Sequence, residues 1–223
     1  MDQYFTIGII DGRVVLTALL SLFSVVLAIV YRTSERKACC IAMIMSSLGD
    51  LFLMNFAQVE DWFPVPVFYV GMLCFVLSHI IYATSFILII KKHKKPIKNF
   101  GIMGGVIIAL FTLITCVYLF IKTGGNPISF LIACIAYLFI ICFDCSIIFS
   151  AAVSTKGMRY VAAIGIVSLM ISDLFIAFMK LGNMYQCEWL IWWFYPIGQL
   201  LIIIGCGTWE RIQSEKSQTT NIQ

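Results

Sequence analysis

Polar positions along this chain are few and bunched. Long apolar runs, each near the ~20 residues needed to cross a hydrocarbon core, alternate with short clusters of charge. Seven runs stand out, at about 14–31, 38–57, 64–90, 100–121, 128–153, 159–179 and 189–208. Helix is the expected conformation of each, because a helix satisfies its own backbone polar groups where no water is present. The pattern predicts an all-α fold, a polytopic membrane helix bundle with seven transmembrane helices in a single domain over residues 1–223. The longest polar pieces are the loop 91–98 and the tail after Trp209, too short for an extramembrane domain. The first run is long and lacks a small-residue cleavage site, so no cleavable signal is expected.

Composition agrees with this reading: 61% of the residues are apolar and only 12% charged, against roughly 25% charged in an ordinary globular chain. The basic residues also sort by side. Arg32, Arg36, Lys37, Lys91, Lys92, Lys94, Lys95, Lys98, Lys156, Arg159, Arg211 and Lys216 fall on one side of the seven runs, leaving Arg13, Lys122 and Lys180 on the other. The positive-inside rule then predicts N-out/C-in orientation. The net charge of +4 is therefore a topology signal, and no nucleic-acid partner is expected. Trp62, Trp189, Trp192 and Trp193 are expected at the outer interface and Trp209 at the inner one, as an aromatic belt. The expected location is integral to a membrane, the plasma membrane in a bacterial cell. Most of the nine cysteines lie within the runs. Only Cys187 is clearly in an outer loop, so no disulfide framework is expected. The Cys142-x-x-Cys145 pair reads as small packing residues.

Against this background two acids stand out, Asp50 in SSLGDLFLM and Asp173 in LMISDLFIAF. A carboxylate at bilayer depth costs several kcal/mol, which makes each a functional-site candidate. Their surroundings repeat. Gly49-Asp50-Leu51-Phe52-Leu53 resembles Ser172-Asp173-Leu174-Phe175-Ile176, and Phe68-Tyr69-Val70-Gly71 is echoed by Phe194-Tyr195-Pro196-Ile197-Gly198. Helical rise puts both acids roughly 20 Å from the basic side. His79 comes to a similar level on the third run, where Gly71, Phe75, His79 and Tyr82 share one helical face. Tyr195 and Gln199 share a face of the last run. Asp144 is a further buried acid, nearer the basic side. Two carboxylates with no Lys or Arg in mid-span cannot both ionise easily in a low dielectric, so one is expected to hold a proton while the other is anionic.

Several chemistries are excluded. There is no G-x-S-x-G elbow, no HExxH, no P-loop and no dinucleotide fingerprint. The only histidines are His79 and His93, so a three-histidine zinc site cannot form. The last run has no lysine for a retinal Schiff base. No metal or cofactor is expected.

Taken in order, Ser47-Leu48-Gly49-Asp50, then Gly71…Phe75…His79-Ile80-Ile81-Tyr82, then Ser172-Asp173, then Phe194-Tyr195-Pro196-Ile197-Gly198-Gln199 form a set that resembles the YhhN family of lysoplasmalogenase-like membrane proteins. The likeness runs from about Ser46 to Ile204. Many members of that family resemble eight-span proteins, whereas seven spans are read here, and Pro196 is unusual. The resemblance implies an alkenyl ether hydrolase that cleaves the vinyl ether bond of lysoplasmalogens to a fatty aldehyde and a glycerophospho-headgroup. The partners would be a lysophospholipid substrate and the bilayer itself. Asp50 and Asp173 would share the acid and anion roles, with His79 orienting one of them or relaying protons. Tyr82, Tyr195 and Gln199 would bind the substrate or its attacking water. A competing class remains on the residues alone, a small proton-coupled transporter or a non-enzymatic sensor built on the same intramembrane aspartates.

Overall fold

The computed structural model describes residues 6–7, 10–54, 61, 66–123, 128–182 and 184–207. Trp62, Trp209, Arg211, Lys216 and the end of the second expected span at 55–57 lie outside the described residues. A minimal pairing of β1 (Thr6–Ile7) with β2 (Ile10–Asp11) precedes seven helices: α1 (Gly12–Tyr31), α2 (Ser34–Leu53), α3 (Val67–Lys92), α4 (Asn99–Thr123), α5 (Ile128–Thr155), α6 (Arg159–Gly182) and α7 (Glu188–Gly205). A 3-10 turn at Tyr185–Cys187 leads into α7. Each helix matches one apolar run read from the sequence, to within a few residues at either end.

Among the described residues, six of the seven helices are long and apolar enough to cross a membrane. The exception is α2, for a local reason. It opens on Glu35, Arg36 and Lys37 and carries Asp50 near its other end, so its apolar stretch is shortened from both sides. It is nonetheless embedded in the bundle, packed against α1 and α3. The protein is an all-helical, multi-pass membrane bundle.

Large apolar side chains such as Leu19, Ile29, Ile107, Phe111, Ile121, Phe139 and Ile164 remain exposed on the bundle surface. On a water-soluble protein that would be a liability; here it is the lipid-facing belt. Because lipid is as apolar as leucine, burial of such residues does not drive one helix onto another. Close packing of small residues and interhelical hydrogen bonds do. The most extensively packed pairs, α2 with α3 and α6 with α7, each cross at a glycine pair. A Cβ on Gly49 would come 3.1 Å from the Gly71 carbonyl oxygen, and one on Gly165 would come 2.8 Å from that of Gly198. Polar contacts add to the packing. Ser21 Oγ meets Ser47 Oγ at 2.7 Å between α1 and α2, and Ser78 Oγ donates to the Ala42 carbonyl at 2.8 Å between α3 and α2.

The basic end of the bundle is tied to α7. Arg36 Nη1 donates to the Ile203 carbonyl at 2.8 Å, and Arg159 Nη1 donates to the Gly205 and Gly207 carbonyls. The Ile203 and Gly205 carbonyls belong to the last turn of α7 and that of Gly207 lies just beyond it, where positive charge is favoured by the helix dipole. Both arginines are buried. Two residues that read as orientation signals in the sequence are therefore also helix caps. Nearby Glu35, itself buried, pairs with Lys92 at 3.1 Å.

Candidate functional site

At the opposite end, where α2, α4 and α6 finish and α1, α3, α5 and α7 begin, the helices splay around a cavity of about 410 Å³. Its walls are mainly apolar and aromatic, with Phe68, Met72, Phe75, Leu138, Ile141 and Ile176 among them. Among the described residues three carboxylates line it: Asp50 from α2, Asp173 from α6 and, at the start of α7, Glu188, which pairs with Arg13. Tyrosine hydroxyls reach Asp50 and Asp173, that of Tyr195 from α7 and that of Tyr137 from α5.

Behind Asp50 runs a chain of hydrogen bonds with one polarity. Tyr82 donates its hydroxyl to Gln199 Oε1 at 2.6 Å, and Gln199 Nε2 donates to Ser46 Oγ at 2.7 Å. Tyr195 gives its one hydroxyl proton to Asp50 Oδ2 at 2.8 Å, so its oxygen is left to accept from Ser46 Oγ at 2.8 Å. Every member is buried. Three helices contribute: α2 supplies Ser46 and Asp50, α3 supplies Tyr82, and α7 supplies Tyr195 and Gln199. The four-residue spacings 46/50 and 195/199 put both members of each pair on one helical face. The chain delivers an O–H to the carboxylate, which is the arrangement that stabilises an anion there.

A second, looser chain ends on Asp173. His79 Nδ1 meets Asp144 Oδ2 at 2.8 Å, its Nε2 lies 3.3 Å from the Tyr137 hydroxyl, and Tyr137 donates to Asp173 Oδ2 at 3.3 Å. Asp144 and His79 are buried, whereas Asp173 is partly exposed to the cavity. With an N–H on each ring nitrogen, His79 donates to Asp144 and to Tyr137, which in turn donates to Asp173.

Of the residues singled out from the sequence, Asp50, Asp173 and Tyr195 line the cavity together. His79, Tyr82 and Gln199 do not: His79 stands behind Tyr137, whereas Gln199 reaches Tyr195 through Ser46, and Tyr82 stands behind Gln199. Asp144 joins through His79. The sequence reading missed Tyr137 and Ser46. Tyr137 lies on α5, whose apolar run carries no echo of the others, and only its seven-residue offset from Asp144, two helical turns on one face, marks it. Ser46 was overlooked although it sits one turn before Asp50. Trp192, expected in the outer aromatic belt, lines the cavity, and the Arg13 guanidinium lies 5.0 Å from its ring centroid. Cys142 and Cys145 point to different neighbours, the Gly105 carbonyl and Met170 Sδ, as packing residues do. Among the described residues no group of three or more His, Cys, Asp or Glu side chains is placed to hold a metal ion.

The geometry thus offers two carboxylates in one apolar chamber, each held by a tyrosine hydroxyl but through different networks. Such a chamber suits an amphiphile whose polar reacting centre lies between the acids. No match was found among curated proteins or among solved structures. A family model does match over residues 13–206, which takes in all seven helices nearly end to end: the chain belongs to the YhhN family.

Proposed function

We propose that this protein hydrolyses the vinyl ether bond of lysoplasmalogens, releasing a fatty aldehyde and a glycerophospho-headgroup. The observation that carries the reading is the pair of carboxylates facing one apolar cavity from different hydrogen-bond networks. The bundle is read as crossing the membrane seven times, N-out/C-in, with the cavity opening to the outer side. Family membership favours the same chemistry.

An enol ether opens when its β-carbon takes a proton, which leaves an oxocarbenium ion at the carbon bonded to oxygen. One group must be a carboxylic acid and the other an anion. Asp173, partly open to the cavity and held by a long bond from Tyr137, suits the acid. Asp50, buried and held at 2.8 Å by the Tyr195 hydroxyl, suits the carboxylate. In the first half of the cycle Asp173 gives its proton to carbon, and Asp50 stabilises the cation and takes a proton from the water that adds to it. In the second half Asp50 returns that proton to the departing glycerol oxygen. Asp173 meanwhile takes the hemiacetal hydroxyl proton as the C–O bond breaks. Both acids end as they began, and the sum is one water consumed per ether cleaved. Two carboxylates divided between acid and anion roles follow the logic of glycoside hydrolysis. His79, Tyr82 and Gln199 act as positioning residues.

The test is aldehyde release from lysoplasmenyl-ethanolamine by purified protein, beside Asp50→Asn and Asp173→Asn. Aldehyde from wild type alone supports the hydrolase. Folded wild-type protein that makes none removes it, and proton-coupled uptake into vesicles would then favour a carrier.

A further inference from the structure

The catalytic reading uses only the deep part of the cavity. Its mouth has a different character. Arg13 at the start of α1, Lys180 near the end of α6 and Glu188 at the start of α7 bring three charges into a lining that is otherwise mostly apolar. Arg13 Nη1 and Glu188 Oε1 are 3.4 Å apart, both side chains are partly exposed, and Trp192 lies beside them. Charges of both signs at the rim of a chamber whose depth is apolar and acidic call for a ligand with a zwitterionic end.

The spacing defines that ligand further. Lys180 follows Asp173 by seven residues on α6, and Glu188 precedes Tyr195 by seven on α7. Each interval is two helical turns, about 10 Å along the bundle. In a lysoplasmalogen the protonated carbon and the phosphorus are separated by seven bonds. At roughly 1.2 Å of extended reach per bond that is about 8–9 Å. A substrate with its vinyl ether at Asp173 and Asp50 therefore sets its phosphate level with Arg13 and Lys180. Its ammonium then reaches Glu188.

We infer that Arg13 and Lys180 form a phosphate site at the cavity mouth, and that Glu188 selects phospho-amine headgroups, ethanolamine or choline, over anionic ones. This rests on the hydrolase reading for its register, but it is tested without turnover. The probe is a saturated 1-O-alkyl-glycerophosphoethanolamine, which has the headgroup and lacks the reactive double bond. Its binding to the purified protein in detergent is compared with that of the phosphate-free 1-O-alkylglycerol. Arg13→Gln and Lys180→Gln should each weaken the phospholipid about tenfold or more and leave the alkylglycerol within twofold. Glu188→Gln should erase preference for the ethanolamine headgroup over a phosphoglycerol one. Inorganic phosphate at millimolar concentration should not displace the probe; displacement, with alkylglycerol bound as tightly as phospholipid, would mark a free-anion site and overturn the proposal. Equal losses for both lipids, or no loss in either cation variant with unchanged melting temperature, would also overturn it. Aldehyde release is scored separately. The predicted binding pattern without aldehyde would keep the headgroup site and reject the hydrolase; aldehyde with unaltered binding in both variants would do the reverse.

Discussion

Tyr137→Phe separates a positioning role from a structural one. The hydroxyl it removes stands 3.3 Å from both His79 Nε2 and Asp173 Oδ2. These are long contacts, so in the resting protein each falls at or below the ordinary net worth of a hydrogen bond, about 0.5–1.5 kcal/mol. The variant should melt close to wild type. Catalysis is different, because once Asp173 has given its proton away the hydroxyl donates to a full carboxylate. A hydrogen bond to a charged partner is worth about 1.5–3 kcal/mol. At about 1.4 kcal/mol per factor of ten, its loss should lower kcat by roughly ten- to a hundredfold. KM should change little, because the bond strengthens only as charge develops. The assay is steady-state aldehyde release over a range of lysoplasmenyl-ethanolamine, and a normal solvent deuterium isotope effect on kcat is expected of the proposed proton transfer to carbon. Asp144→Asn acts through the same chain, so combining it with Tyr137→Phe should cost less than the sum of the two. A Tyr137→Phe enzyme with wild-type kcat, while Asp173→Asn is inactive, would refute the assignment of Asp173 as an acid supported through Tyr137.

Asp50→Asn should abolish aldehyde release while the purified protein retains its melting temperature within a few degrees. Tyr195→Phe, which takes away the 2.8 Å bond to Asp50, should lower kcat at least tenfold by the same charged-bond arithmetic, checked in the same assay. Gly198→Ala should destabilise the bundle by about 1–3 kcal/mol through overpacking, read as a lower melting temperature in detergent, since its Cβ would lie 2.8 Å from Leu169 and 2.9 Å from the Gly165 carbonyl oxygen. Lys94→Gly should raise the melting temperature by relieving a left-handed backbone at φ 51°, a conformation that costs a non-glycine residue roughly 1–2 kcal/mol.

The seven helices were legible because bilayer-length apolar runs leave one backbone solution, although some ends differ by a few residues where basic residues are helical, as Arg36 and Lys37 are in α2 and Lys91 and Lys92 in α3. The carboxylates were legible for a related reason: a charge in an apolar run has no cheap structural excuse. What the sequence hid was which polar residues share a wall. Tyr82 and Gln199 stand at the right depth, but depth along a helix says nothing of the angle between two helices. Their hydroxyl and amide meet each other at 2.6 Å, one layer away from the cavity. Tyr137 was hidden by its type, since a tyrosine in a membrane run is ordinary packing material until a histidine and a carboxylate are found on either side of it. The shortened apolar stretch of α2 was in plain view as Glu35, Arg36 and Lys37, yet reading those residues as loop charge concealed that Glu35 and Arg36 are buried helical residues.

The repeated motifs explain why one chamber contains two unlike carboxylates. In sequence the α2–α3 and α6–α7 pairs share two short echoes, with an aspartate on the first helix of each and a glycine three residues after an aromatic on the second. In space the echoes slip. The α2–α3 crossing is at Gly49 and Gly71, one residue from Asp50, whereas the α6–α7 crossing is at Gly165 and Gly198, eight residues before Asp173. Asp50 therefore sits beside the glycine pair of its helices, buried and bonded to Tyr195. Asp173 sits about two turns beyond Gly165, is partly exposed, and faces Tyr137 of α5 instead. Two equivalent carboxylates would share a proton with no fixed division of roles. A seven-residue difference in the register of the glycine pairs goes with one buried aspartate and one partly open one, and the acid/base chemistry proposed above needs that inequality.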